Sequence, residues 1–182
     1  MDNAIGLILK AMRFSAEKHN DQRRKDSKSS PYINHPIRVA ETLYSVGGVR
    51  NEALLAAAIL HDTIEDTDAT AEDLRREFGD EISGLVLEVT DDKSLPKDVR
   101  KQLQIETAAH KSPRAKLLKL ADKICNVEDL VATPPADWSL KRRREYLLWT
   151  EKVIQGLRGS NRELENLYDE ILAKGKQSLG LE

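Results

Sequence analysis

Four histidines occur in the 182-residue chain, few enough to weigh singly. His61 is followed by Asp62 in HDTIEDT, so His61, Asp62, Glu65 and Asp66 crowd four ionisable groups into six residues. The cluster closes an apolar stretch. Charges brought to the edge of a core are costly unless something compensates them, and a divalent cation would. A helix C-terminus with His61 as a favourable cap and the acids in solvent accounts for the same residues. His35 precedes Pro36 in PYINHP, where proline is expected to hold it extended and fix the direction of the imidazole. That suits a metal ligand and an ordinary loop-to-helix junction alike. His19 reads as a core-edge histidine or one standing behind a ligand, and His110, beside Lys111, as exposed. Asp122, Asn126 and Asp129 recur at i, i+4 and i+7, opposite the apolar Leu117, Leu120, Ala121, Ile124 and Val131. By amphipathicity alone those three polar residues form a solvated stripe.

The elements that must position these residues read as helices throughout. Ile5, Leu9, Met12 and Ala16 form one stripe of an amphipathic first helix. Asp21 to Ser30 is polar, closes at Pro31 and reads as a loop long enough to have a job. Pro36 suits the first turn of a second helix carrying Ile37, Ala40, Glu41 and Tyr44, which stops at Gly47-Gly48. Glu52 to His61 is apolar almost all round, as a central buried helix would be, and its alanines argue against a strand. Thr70 to Asp73 resembles a capping box opening a helix that ends near Gly79, with Asp80 capping the next through Val89. Pro96 to His110, Pro113 to Val131 (with Ser112 as N-cap), Ser139 to Arg158 and Asn161 to Ala173 complete the set. The expected fold is all-α, a bundle of about eight to nine helices in one domain over 1–182. Its core spans about 5–172, residues 175–182 form a tail, and Leu181-Glu182 is read as a candidate cloning remnant.

Composition narrows the partners. Lys plus Arg number 29 against 31 Asp plus Glu, a net charge of −2, which gives no global field for nucleic acid or an anionic membrane. The base run Lys141 to Arg144 lacks aromatic interleaving and reads first as a solvated face. Cys125, the one cysteine, excludes an internal disulfide framework and reads as a small core residue. No apolar run approaches the ~20 residues of a membrane span, and Asp2 stands where a signal peptide needs bases. The expectation is a cytoplasmic protein, its oligomeric state left open.

Taken together, His35, His61-Asp62 and Asp122 resemble the H…HD…D metal-binding signature of the HD superfamily of phosphohydrolases. RRKDSKSSPYINHP, HDTIEDT, EVTDDK and KLADKICN resemble the hydrolase domain of RelA/SpoT-type proteins, which cleave guanosine tetra- and pentaphosphate, and most of all the stand-alone small alarmone hydrolases. The resemblance implies His35, His61, Asp62 and Asp122 as ligands to one manganese ion per chain, and Glu65 and Asp66 as the catalytic acids. It implies Arg24 and Lys25 at the guanine base, Tyr32 on the substrate and Asn126 near ribose and phosphate. Asp26 departs from the Ser or Thr common in the long enzymes, which leaves its role open. Lys93, Lys97 and the Lys141–Arg144 run are candidates to offset phosphate charge, with Arg142 and Tyr146 one turn apart at a pocket rim. The implied reaction is metal-dependent hydrolysis of guanosine 3′,5′-bis(diphosphate) to GDP, or of the pentaphosphate to GTP, with release of pyrophosphate. The alternatives are an HD-type phosphatase on another nucleotide, such as the 2′-phosphate of NADPH, and a catalytically silent alarmone sensor.

Overall fold

The computed structural model describes residues 2–26 and 28–181, so Glu182 of the candidate remnant lies outside the described residues. Among the described residues there are nine α-helices and no named strand. In chain order they are α1 (Asp2–Lys18), α2 (Asn34–Ser45), α3 (Glu52–Leu60), α4 (Thr63–Asp66), α5 (Ala71–Val89), α6 (Lys97–Thr107), α7 (Pro113–Ala132), α8 (Leu140–Gln155) and α9 (Arg162–Leu179). A single 3₁₀ turn, Ala108–His110, follows α6.

Five of the helices begin where a side chain satisfies a free backbone N–H group. Asn51 accepts from Leu54, Ser112 from Ala115 with Pro113 behind it, Ser139 from Arg142 and Asn161 from Leu164. Thr70 and Asp73 close the expected capping box. Gly79, at φ 80°, breaks α5 into two helical runs, as its sequence foretells. Asp80 does not cap the second run; its carboxylate takes Arg75 instead.

The apolar α3 lies at the centre, packed against α1, α2, α5 and α7. Its alanines bring those neighbours close, and Ala56, Ala57, Ala58 and Leu60 are fully buried. The second hub is α7, wedged between α2, α5, α8 and α9. Being covered on most sides, it buries Lys119, Asp122 and Lys123 with its apolar residues, so the expected solvated stripe fails at Asp122.

Other expectations need correcting. Ile5 is 63% and Leu9 59% exposed, while Ala11, Ser15 and His19 are buried. Close approach of α1 to the alanine-rich α3 favours small side chains over long ones, so the apolar stripe points the wrong way. In α2 the buried face is Pro36, Val39, Ala40 and Leu43 rather than Ile37, Glu41 and Tyr44. His35 is not extended: α2 starts two residues before Pro36, which the first helical turn tolerates because no intrahelical N–H is lost there. The C-terminal region is no tail through Leu179, since α9 runs that far and buries Gly175 and Leu179. As expected, Cys125 is fully buried, and burial pushes its thiol up to about 12.

Gly156 ends α8 against the 3₁₀ turn. A Cβ there would lie 2.6 Å from Ala108 Cβ and 2.9 Å from the Ala109 nitrogen. Gly156→Ala is therefore expected to lose about 1–3 kcal/mol to overpacking, read as a lower Tm; an unchanged Tm would contradict this packing.

Candidate metal centre and active site

The metal candidates come from three places. His35 sits in the first turn of α2, Asp122 in the middle of α7, and His61-Asp62 at the turn between α3 and α4. That turn is set locally: Thr63 donates its hydroxyl to Leu60 O at 2.6 Å, and Asp66 N donates to Asp62 O at 2.8 Å. The chain thus changes direction with two ligands side by side. His35 Nε2 lies 3.2 Å from Asp122 Oδ1 and 3.8 Å from Asp62 Oδ2. His61 Nε2 lies 3.1 Å from Asp62 Oδ2 and 3.7 Å from Asp122 Oδ1. Donor atoms of His35, His61 and Asp62 all fall within 4.8 Å of one another, and Asp122 joins them through both imidazoles. Four groups from three separate parts of the sequence therefore converge.

The residues fit a divalent cation. His61 donates Nδ1–H to Ala58 O at 2.7 Å, which turns Nε2 toward the carboxylates, where it has no hydrogen-bond partner. Burial works against a charged imidazole here, yet Asp62 and Asp122 push His61 up to about 10. Burial keeps His35 below its ordinary value. Burial also opposes the charge on Asp62 and Asp122, but His61 and His35 hold Asp62 down while Lys123 and the imidazoles hold Asp122 down. Buried carboxylates that stay ionised demand positive charge, which a proton or a cation supplies. Two imidazoles and two carboxylates form a mixed N/O set suited to a first-row divalent metal.

Surrounding groups orient the ligands. Tyr32 donates its hydroxyl to Asp62 Oδ2 at 2.6 Å, and burial with the nearby Asp62 charge pushes that phenol far up. His19 is buried behind it, its ring stacked on Tyr32 at 4.8 Å and its Nδ1 2.6 Å from Gln22 Oε1, the supporting place foreseen for it. His110 is exposed, also as foreseen. Asn126 donates to Asp122 Oδ1 at 2.5 Å, and Lys123 donates to Asp122 Oδ2 at 2.9 Å.

Glu65 and Asp66 stand at the same cavity, about 150 Å³ in volume. Glu65 accepts from the Asp91 backbone N–H at 3.0 Å, and burial raises its carboxyl above the usual range, with the Asp91 and Asp62 charges adding to it. Asp66 takes Lys93 Nζ at 2.5 Å and Gln22 Nε2 at 3.3 Å. Beside this cavity lies a cleft of about 400 Å³ lined by Arg24, Lys25, Tyr32, Asp66, Asn126 and Tyr146, among others. Arg24 donates to Asp129 Oδ2 at 2.5 Å, with its guanidinium 5.5 Å from the Tyr32 ring. Asp26 is a staple of its own loop, accepting from Lys28 N and Ser30 N. Lys97 and Arg142 line a neighbouring cleft of about 600 Å³ that shares Lys25, Trp138 and Tyr146 with the first. Of the base run, Arg143 donates to Pro135 O and Arg144 to Leu179 O, so those two fasten the fold.

Sequence reasoning missed several residues. Lys119 and Lys123 line the same cavity as Glu65 and Asp66, two bases one turn apart among the apolar Leu118, Leu120, Ala121 and Ile124. Asp91 and Gln104 also line it, with Gln104 donating to Asp91 at 2.6 Å. Trp138 was missed: it packs on Tyr146 with 5.3 Å between centroids, and Arg142 lies 4.3 Å over it, joining the two rim residues that the sequence did suggest.

Fold and site together define an HD-domain protein with a place for a divalent metal, and the HD-domain family model matches residues 11–150. The similarity to known proteins is closer than that. Guanosine-3′,5′-bis(diphosphate) 3′-pyrophosphohydrolase MESH1 of Xenopus tropicalis is 50% identical over 171 residues, covering 94% of this chain and 96% of that protein. The Homo sapiens MESH1 is 50% identical over 165 residues, covering 91% and 92%. A solved structure described as a metazoan ortholog of SpoT that hydrolyses ppGpp superposes with a TM-score of 0.91 at 47% identity, covering 97% of each chain. The chain belongs to the MESH1 family of HD-domain proteins.

A cation bound to the native state alone raises its stability. Manganese added to metal-stripped protein is expected to raise Tm, and His61→Ala to abolish that rise with roughly hundredfold weaker binding or worse. Lowering the pH through the range where protons compete for His61 is expected to weaken the metal. An equal Tm rise in His61→Ala would contradict the assigned ligands.

Proposed function

We propose that this protein hydrolyses guanosine 3′,5′-bis(diphosphate) at its 3′ position, releasing pyrophosphate and leaving GDP, and treats the pentaphosphate in the same way to give GTP. The observation that carries the reading is the placement of Glu65 and Asp66 at the four-donor cavity, where it adjoins a cleft holding Arg24, Tyr32 and Asn126. Relatives of this length and similarity bear that activity in their names.

His35, His61, Asp62 and Asp122 would hold the ion, read here as manganese. When bound, such an ion polarises a water and lowers its pKa, giving a nucleophile near neutral pH. Glu65, its carboxyl raised by burial, is suited to take the water's proton. Asp66, held between Lys93 and Gln22, orients the same water or relays that proton. The water oxygen bonds to the phosphorus on the ribose 3′-oxygen, the bond from that phosphorus to the 3′-oxygen breaks, and the 3′-oxygen leaves as a hydroxyl by taking up the proton that the Glu65–Asp66 pair accepted from the water. Lys119 and Lys123 offset charge on the cavity side. Arg24 stacks on the guanine and Lys25 hydrogen-bonds to it, Tyr32 contacts the substrate, and Asn126 faces the ribose and the phosphate next to it. Lys97, Arg142 and Tyr146 take the remaining phosphates in the neighbouring cleft. The substrate is a small cytoplasmic nucleotide, and the reading needs neither nucleic acid nor membrane; among the described residues no helix is long and apolar enough to cross one.

Incubation of manganese-loaded protein with guanosine tetraphosphate is expected to yield GDP and pyrophosphate in equal amounts. Glu65→Gln and Asp66→Asn are expected to lower kcat about 10²- to 10⁴-fold without losing the metal. No turnover in loaded protein, or full turnover in both variants, would overturn the proposal. A kcat/KM for NADPH above that for guanosine tetraphosphate would replace it with the 2′-phosphatase reading.

A further inference from the structure

Arg38 lies on α2, three residues beyond His35, and lines neither the metal cavity nor the cleft beside it. Its side chain is 41% exposed, yet both terminal nitrogens are engaged. Nη2 donates to Glu128 Oε2 at 2.6 Å, and Nη1 donates to Asp129 Oδ1. The other oxygen of Asp129, Oδ2, accepts from Arg24 Nη2 at 2.5 Å. The same Arg24 nitrogen lies 3.4 Å from Asn126 Oδ1, and Asn126 holds Asp122. One carboxylate on α7 is thus clasped between two guanidinium groups, one from α2 and one from the 21–30 loop.

From this arrangement we propose that Arg38 is a remote positioning residue for nucleobase recognition, acting through Asp129 to hold the Arg24 guanidinium ready in the cleft. The inference rests on the reading above that places Arg24 at the base. Its physical content is the geometry of one carboxylate. A lone aspartate on a helix rotates about its side-chain torsions and presents either oxygen. Engaging Oδ1 from the α2 side leaves Oδ2 aimed at Arg24. Charge-assisted contacts of this type are short and directional, and the orientation they impose is made before any ligand arrives. An arginine already fixed loses less conformational freedom when a planar base stacks on it. Because Arg38 does not line the cavity where phosphorus reacts, the effect belongs to binding and not to the chemical step.

The test compares wild type with Arg38→Met, Asp129→Asn and the double variant, all metal-loaded, on guanosine tetraphosphate. Arg38→Met is expected to raise KM roughly fivefold, the scale of a partly exposed ion pair, with kcat within about twofold and metal content unchanged. Asp129→Asn is expected to raise KM further. Adding Arg38→Met to Asp129→Asn is expected to change little, because the two residues act in series. Nitrogen NMR of the Arg24 guanidinium gives a readout free of turnover: hindered rotation in wild type, faster rotation in Arg38→Met. A KM unmoved by Arg38→Met, a loss confined to kcat, or Arg24 signals unaltered by Arg38→Met would each overturn the proposal. Should wild type fail to turn over the substrate at all, the functional reading falls, while the Arg24 signals still decide whether the relay exists.

Discussion

Negative charge confined out of water dominates this molecule. Asp62 and Asp122 are drawn together beside Glu65, Asp66 and Asp91 around a space of about 150 Å³, and a carboxylate buried as Asp122 is costs several kcal/mol to desolvate unless it is answered. The protein answers in part with its own groups: Lys123 on Asp122, Tyr32 on Asp62, and Lys93 on Asp66. What remains is a demand for cationic charge at the point the two imidazoles face. An ion bound there would complete the electrostatics of the fold and would lend its charge to the reaction.

The helical scaffold serves that arrangement. The candidate ligands at the start of α2, the α3–α4 turn and the middle of α7 keep their relative positions because α3 and α7 are packed on nearly every side. The residues proposed to meet the substrate are placed differently. Arg24 and Lys25 sit on a loop closed by the Arg23–Pro31 bridge and by the Asp26 carboxylate. Lys97 and Arg142 come from α6 and α8, across a wall of Trp138 and Tyr146. The candidate metal centre thus rests on the packed core, while the proposed base-reading residues rest on a stapled loop and on two outer helices.

Much of this was legible in the sequence, for reasons that differ by element. Caps such as Thr70, Ser112 and Asn161 are local chemistry, so helix starts came through to within a residue or two. The ligands His35, His61, Asp62 and Asp122 were legible as a set only through resemblance to a family. By residue pattern alone Asp122 belongs to a polar stripe, and only the coverage of α7 by α2, α5, α8 and α9 makes it buried. The same tertiary effect hid Lys119 and Lys123. The apolar face of α1 was misread because its contact with α3 is made by Ala11 and Ser15, whose value lies in being small. The reach of α9 past Ala173 was missed because it depends on tertiary packing, where the absent side chain of Gly175 leaves room for Leu147 and Val131.

The central claim is that His35, His61, Asp62 and Asp122 hold a single ion. Pulsed electron paramagnetic resonance of protein loaded with one manganese per chain tests it directly, because imidazole nitrogens bound to manganese leave a characteristic coupling. The account predicts coupling from two such nitrogens, falling to one in His35→Ala and likewise in His61→Ala. Bound manganese that shows no imidazole coupling, or coupling that survives intact in both variants, would contradict it.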